Sequence, residues 1–305
     1  MKRLRLDFRR LLSKSPFLTL FLKKLRQDKL LLFSCIILFL LCFSAIFANW
    51  IATGTYYGQN LADRLSTPSL QYPFGADYLG RDIFSRIIYG ARIVLYEMVA
   101  TISFAAVIGI LAGLFSGYFG GSILDHGIMR IMDILSSFPT IMLALMAIIV
   151  IGAGLENAII AVGISLVPSY ARFVRSQTLS AKELDYIENL KALGASNTRI
   201  LFRHILPNIS GPIITLTTFS AASAILGIAS LGFLGLGAQP PTPCWGTMIS
   251  EGRLYMVSAP YVIIFPGIAI FLVVLSLNVL GDVLRDVLDP RQRNILMRPE
   301  LSQQS

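Results

Sequence analysis

Apolar residues fall in six long blocks separated by polar connections. The first, Leu30 to about Ala52, reaches the ~20 residues that a bilayer-crossing helix needs rather than the ~7–15 of a signal-peptide core. It reads as a retained helix behind a long basic lead. Further blocks run from about Val94 to Tyr118, Ile134 to Gly152, Ala158 to Val174, Ile209 to Leu236 and Tyr261 to Leu280. In the second, Gly109, Gly113 and Gly117 recur every fourth residue and leave one helix face bare for close approach of another backbone. Pro139 lies near the start of the third, where neighbouring helices satisfy the freed carbonyl, and Pro168-Ser169 marks a kink in the fourth. Only Ala153 to Asn157 separates the third block from the fourth, so these two form an antiparallel hairpin. The pattern predicts an all-α integral membrane protein with six transmembrane helices.

The connections carry their own signals. Residues 53–93 are polar and rich in turn residues. At their end Ile83, Ile87 and Ile88 share a face opposite Arg81, Asp82 and Arg86, which predicts an amphipathic helix along the membrane surface. Gly120 and Gly121 end the second span, and Asp125, His126, Arg130 and Asp133 read as a short charged turn. The longest polar, helix-patterned stretch is Ser180 to Asn208. Ser180 with Glu183 forms a capping box, Gly194 is a helix stop, Ser196 caps a second helix and Pro207 ends it. Beyond Ala229 the fifth span spends four glycines and three prolines on unwinding. Non-helical backbone at membrane depth survives only beside protein or a water-filled cavity. Ser230, Gly232, Gly235, Gly237, Gln239, Pro240 and Pro241 are therefore candidates for a translocation path or its outer gate.

Composition agrees with a membrane protein: 55% of the 305 residues are hydrophobic and 14% charged, too few charges to cover a soluble surface. The net charge of +9 is concentrated at the start, with ten of 26 Lys and Arg before Leu30. A basic run abutting an apolar span marks a cytoplasmic membrane face rather than a nucleic-acid site. With six spans, 21 basic residues fall inside and five outside, which puts both termini and the Ser180 to Asn208 element in the cytoplasm. The chain then divides into a basic cytoplasmic tail (1–29), a first transmembrane helix (30–52), an extracytoplasmic loop with its interfacial helix (53–93), a transmembrane core (94–281) holding a cytoplasmic coupling loop (175–208), and a cytoplasmic tail (282–305). Cys35, Cys42 and Cys244 have neither metal-site spacing nor a disulfide framework, and His126 stands alone, so no metal site is expected. There is no phosphate-binding G-x-x-x-x-G-K-[ST], no H-E-x-x-H and no G-x-S-x-G, which leaves no candidate catalytic residue. Ionisable residues are nearly missing from the span centres, against an ion-coupled carrier. Energy has to arrive from a partner.

Many separate motifs carry a resemblance: Glu188, Gly194 and Ile205-Leu-Pro207; Phe74-Gly-Ala-Asp with Leu79-Gly-Arg-Asp82; Ser116-Gly-Tyr-Phe-Gly-Gly121; Leu193-Gly-Ala-Ser-Asn197; Arg203-His-Ile-Leu-Pro-Asn208; Gly235-Leu-Gly with Gln239-Pro-Pro-Thr-Pro243; Pro266-Gly267; Gly281-Asp-Val-Leu-Arg-Asp286; and Leu288-Asp-Pro-Arg291. Together, from Leu30 to Arg291, they resemble the second ("C") permease of the dipeptide, oligopeptide and nickel branch of binding-protein-dependent ABC importers, with its "EAA" loop. The resemblance implies a type I ABC importer permease fold in a bacterial inner membrane. It also implies a second homologous permease subunit, two ATP-binding subunits that hold ATP and Mg, and an extracytoplasmic substrate-binding protein; this chain itself carries no cofactor. Cargo would be di- or oligopeptides, with nickel or other metal chelates, glutathione and heme as alternatives. The implied ATPase-coupling residues are Asp185, Glu188, Asn189, Leu190, Gly194, Ala195, Leu206 and Pro207, with Glu188 a polar anchor, Gly194 a hinge, and Leu206 and Pro207 the link to the fifth span. Three positions depart from the family: Asn189 and Leu190 replace two alanines, and Ile228 replaces a glutamate whose loss would remove a charge from the path. A non-transporting scaffold or sensor is the competing class. Single cysteines along Leu231 to Pro243 discriminate between them: a pathway gives labelling by a water-soluble reagent that changes with transport state, and a scaffold gives uniform protection.

Overall fold

The computed structural model describes residues 16–288, and every element in it is helical apart from an isolated bridge between Ala76 and Asp82. The predicted basic tail lies partly outside these residues. Its second half is a helix, α1 (Pro16–Gln27), on which Leu20 packs with Leu31, Val283 and Val287 while Lys24 pairs with Asp286. Asp28 caps the next helix, α2 (Lys29–Ile51), by accepting from the amides of Leu30 (2.9 Å) and Leu31 (3.2 Å). At ~1.5 Å per residue α2 is long enough to cross a bilayer.

The second long helix corrects the expectation of a separate interfacial element. It is a single 36-residue helix, α3 (Ile83–Tyr118), capped by Asp82, and it begins inside the predicted loop. Arg81 and Arg86 are buried instead of facing water. Both cations face carboxylates, one of which, Glu251, is 165 residues from Arg86 and invisible to a local pattern.

The third apolar block also differs from expectation. It forms two helices, α4 (Ile123–Ser136) and α5 (Thr140–Ile151), bent by 92° at Ser137–Pro139. Proline cannot donate its amide and disfavours helical geometry in the residue before it, so the chain breaks there. At 12 residues α5 is about 18 Å long, short of a bilayer core. Among the described residues five helices are thus long and apolar enough to span a membrane, or six crossings when the bent pair counts as one. Asp125, His126, Arg130 and Asp133 lie on α4 rather than in a turn. Asp125 is buried, held by Arg175 through two 2.7 Å bonds and by Ser116.

Helix α6 (Leu155–Lys182) runs unbroken through Pro168 and well past the predicted end near Val174. It removes the proposed capping box: Ser180 lies inside α6 and its hydroxyl donates to the Ser176 carbonyl at 3.2 Å. The polar element accordingly begins at Glu183 rather than at residue 175. Helices α3 and α6 form the most extensive contact, along the glycine face that the spacing indicated. A Cβ on Gly113 would sit 2.5 Å from the Ala171 carbonyl oxygen, and one on Gly117 2.6 Å from Thr178 Cβ.

The polar element contains α7 (Asp185–Ala192), and after it come the long α8 (Ser210–Phe233), the short α9 (Trp245–Gly252) and α10 (Tyr261–Leu288). The predicted cytoplasmic tail from 282 is helical as far as Leu288, and 289–305 lie outside the described residues. One apolar cluster joins α2, α3, α8, α9 and α10 around Ile83, Val94, Ala221, Trp245 and Val273, and a second joins α3, α5, α6 and α8. The loop before α3 is fastened to α10 by stacking of Phe74 on Phe265 at 4.1 Å and by the bond from Tyr261 Oη to the Leu65 carbonyl. The seam can be tested directly. Gly113→Leu should overpack the α3–α6 contact and destabilise the purified protein by about 1–3 kcal/mol. Gly127→Ala on α4, where the added Cβ meets open space, should leave the melting temperature unchanged or raise it slightly.

Candidate functional site

The polar element is a compact unit fixed to the ends of α3 and α6. Helix α7 buries Ile187 completely, in a cluster with Leu114, Val174, Ile200, Leu201 and Ile205. That single anchor turns Asp185, Glu188 and Asn189 outward, with both carboxylates in the first turn, where the helix dipole favours negative charge. Leu190 is half-buried and packs on the chain's own cluster, so its bulk faces inward. Gly194 has φ +79°; its amide donates to Lys191 O (2.9 Å) and that of Ala195 to Leu190 O (3.0 Å). This is a Schellman cap, which satisfies two terminal carbonyls. A Cβ on Gly194 would meet nothing within 4 Å, so backbone conformation and not space demands glycine here.

Ser196 accepts from the Arg199 amide at 3.4 Å, the cap expected for the second helix. Pro207 does not end that helix. The chain widens into a π-helical turn, Ile200–Ile205, passes through Leu206–Asn208 and enters α8 at Ser210. The extra residue of a π turn makes room for a ring that has no amide, so the path continues where an α-helix would break. Leu206 is half-buried in the Ile187 cluster and Pro207 is exposed. Tyr118 ties the unit to α3: its hydroxyl donates to Asn197 Oδ1 (2.7 Å), Lys182 donates to its carbonyl (2.7 Å), and Lys182 and Lys191 both lie 5.7 Å from its ring centre. Three apolar side chains on this surface escaped sequence reasoning: Leu184, Tyr186 and the 83%-exposed Leu193. Their signal was available, as apolar residues at the edges of a polar helix with no core position to fill.

At the far end of α8 the unwinding is ordered. Gly235 has φ +79° and forms a second Schellman cap, Gly235 N to Gly232 O (3.0 Å) and Leu236 N to Leu231 O (2.9 Å). The Leu236 carbonyl accepts from Gly154 N in the α5–α6 hairpin (3.1 Å), and the Gln239 amide donates to the carbonyls of Gly235 and Gly237. Gly237 lies against Gly232, where a Cβ would be 2.8 Å from its Cα. Ser230, Gln239, Pro240 and Pro241 are exposed, whereas Gly232 and Gly237 are buried. A cavity of about 330 Å³ opens beside Leu226, Ser230, Phe233, Leu234 and Ile249. Ile228 points elsewhere, fully buried in the cluster with Ile159, Val162 and Leu231. The departure at 228 therefore fills a helix–helix contact and does not remove a charge from this cavity.

Two features were missed. Glu97 lies buried on α3 and accepts from Cys244 Sγ at 3.7 Å, an acid within a span that had been read as nearly free of charge. Above it, Asp77, Arg81, Arg86 and Glu251 form a buried ion network. Burial works against the Arg81 charge, but Asp77 and Glu251 outweigh it and hold its guanidinium above its ordinary pKa.

The sequence matches the family described as "Binding-protein-dependent transport system inner membrane component" over residues 105–294, and the "N-terminal TM domain of oligopeptide transport permease C" over residues 16–71. It is 45% identical over 272 residues to the dipeptide transport system permease protein DppC of Alkalihalophilus pseudofirmus, covering 89% of each chain. It is 47% identical over 274 residues to the glutathione transport system permease protein GsiD of Escherichia coli O6:K15:H31, again covering 89% of each. A chain of the MetNI methionine ABC transporter, in an inward-facing conformation, shares the fold at a TM-score of 0.53 and 22% identity, over 66% of this chain and 96% of that one. With that fold, those helices and those relatives, the chain belongs to the inner-membrane permease family of binding-protein-dependent ABC importers and is a multi-pass bacterial inner-membrane protein.

Proposed function

We propose that this chain forms half of the translocation path of an ATP-driven importer of peptides, and that the Asp185–Ala195 element receives the stroke of the ATPase. The remaining parts are a second homologous permease, two ATP-binding subunits that hold ATP and Mg, and an extracytoplasmic substrate-binding protein. Sidedness follows the charge: with 21 basic residues against five, both termini and α7 lie in the cytoplasm. Di- or oligopeptides are the favoured cargo because relatives of 45–47% identity are named for dipeptide and glutathione transport. Metal chelates and heme remain secondary readings, to be separated by competition in uptake assays.

One observation carries the coupling role. α7 is held to the span ends by the buried Ile187 and the half-buried Leu190, while Asp185, Glu188, Asn189 and Leu193 are presented outward. Glu188 serves as a polar anchor for the ATPase and Leu193 as an apolar contact. Gly194 is the hinge, and the π turn with Leu206 and Pro207 carries the motion into α8. A scaffold would need no ordered break at the end of α8, with a cavity at its side.

ATP-driven uptake in reconstituted vesicles should require this chain together with its ATPases, and uptake that persists without it sinks the proposal. Gly194→Pro should abolish ATP-coupled uptake while leaving membrane insertion intact, since proline fixes φ near −65° where +79° is needed. Leu193→Asp should weaken co-purification of the ATPase subunits with little effect on the permease's melting temperature, because that side chain is already solvent-exposed.

A further inference from the structure

The ion network at the N-terminal end of α3 joins the turn before α3, the first turn of α3 and α9. The turn before α3 is locked on itself: Asp77 Oδ1 accepts from the amides of Leu79 (2.8 Å) and Arg81 (2.9 Å), Asp77 N donates to Arg81 O (2.9 Å), and Arg81 Nε donates to Asp77 Oδ2 at 2.6 Å. Arg86 stands on the first turn of α3, its Nη1 3.6 Å from the same Asp77 oxygen. The fourth member, Glu251, comes from α9, and a single oxygen of its carboxylate accepts from both Arg81 Nη2 (2.7 Å) and Arg86 Nη2 (3.2 Å). Both arginine side chains are only 2% exposed. Three members thus belong to one rigid corner with an excess positive charge. Glu251 alone neutralises it from another element.

The depth of α9 gives this pairing a consequence. Arg92 binds the carbonyls of Ala45 and Ile46 and the side chain of Asn49, close to the outer end of α2. Glu97, five residues further along α3, lies ~7 Å deeper, and Arg86, six residues before Arg92, ~9 Å further out. Helix α9 therefore climbs from Cys244, beside Glu97, to Glu251, beside Arg86. At its deep end it grips the gate loop: Thr247 donates to the Ala238 carbonyl (3.3 Å), and Gly246 lies so close to α8 that a Cβ would fall 2.2 Å from Ala229 O. Whatever holds the top of α9 holds the loop below it.

We propose that Glu251 is a positioning residue for transport: its carboxylate latches α9 to Arg81 and Arg86, keeps the Leu234–Cys244 loop closed over the outer end of the path, and must release for the gate to open. This rests on the reading that the loop borders the path, but the latch has its own readout. Cys244 is 1% exposed beneath α9 and is a built-in reporter of its position.

In the assembled transporter in membranes, with Cys35→Ser and Cys42→Ser in place, a membrane-impermeant maleimide should label Cys244 slowly. Glu251→Gln should label at least about tenfold faster, because the opening no longer has to break the charge pairing. Glu251→Asp, which keeps the charge on a shorter arm, should fall between the two. A cysteine at Ser165, buried on α6 away from the network, should stay protected in every case. Labelling of Cys244 in Glu251→Gln at the parental rate overturns the latch. If Glu251→Gln also exposes the Ser165→Cys probe, the decision passes to Glu251→Asp: faster labelling of Cys244 with Ser165→Cys protected supports the latch, and the parental rate overturns it. Uptake measured in the same vesicles separates the two readings, since uptake independent of this chain counts against the transport role without altering the labelling result.

Discussion

The close approach of α3 and α6 along Gly109, Gly113 and Gly117 is the contact on which the remaining architecture hangs. In lipid no hydrophobic force draws two helices together, since acyl chains solvate leucine as well as another helix does. Association has to come from packing, and three missing side chains let Val167, Ala171 and Thr178 reach the facing backbone. Helix α3 thereby becomes a fixed rod of about 54 Å, longer than the bilayer core is thick. Two polar regions attach to it. Arg86 anchors the ion network in its first turn, and Tyr118 holds the polar element at its last.

A second constraint is that the terminal backbone groups of a helix need partners. The chain meets it twice with the same device. Gly194 ends α7 and Gly235 ends α8, each with φ +79° and each with two amides returned to carbonyls of the preceding turn. The π turn before Pro207 solves the related problem of passing a proline without losing helical continuity. Ile187 packs on the π turn at Ile200, Leu201 and Ile205, which leads into α8, whose other end lies beside the cavity.

Much of this was legible from local pattern. Long apolar runs mark α2, α3, α6, α8 and α10 because a helix is the simplest way to satisfy a backbone in lipid. The glycine stops at 194 and 235 follow from conformational freedom belonging to one residue type. Boundaries fared worse, because α6 continues to Lys182 on contacts with α3, and propensity alone could not separate Ser180 as a cap from Ser180 as an interior residue. Arg81 and Arg86 look like a solvated face until their acids are found, and Ile228 looks like a path residue until α6 is packed against it.

The sequence by itself determined which segments are apolar enough to cross, where glycine must relieve the backbone, which side the basic residues favour, and the family to which the chain belongs. Each of these is an intrinsic property of a short stretch or of its composition. The tertiary structure alone decided that Arg81 and Arg86 are buried against Glu251 and that Glu97 and Cys244 meet. Those outcomes depend on residues more than a hundred positions apart arriving at one depth, and the free energy of burying a charge is set by the neighbours that folding brings rather than by the neighbours in the chain.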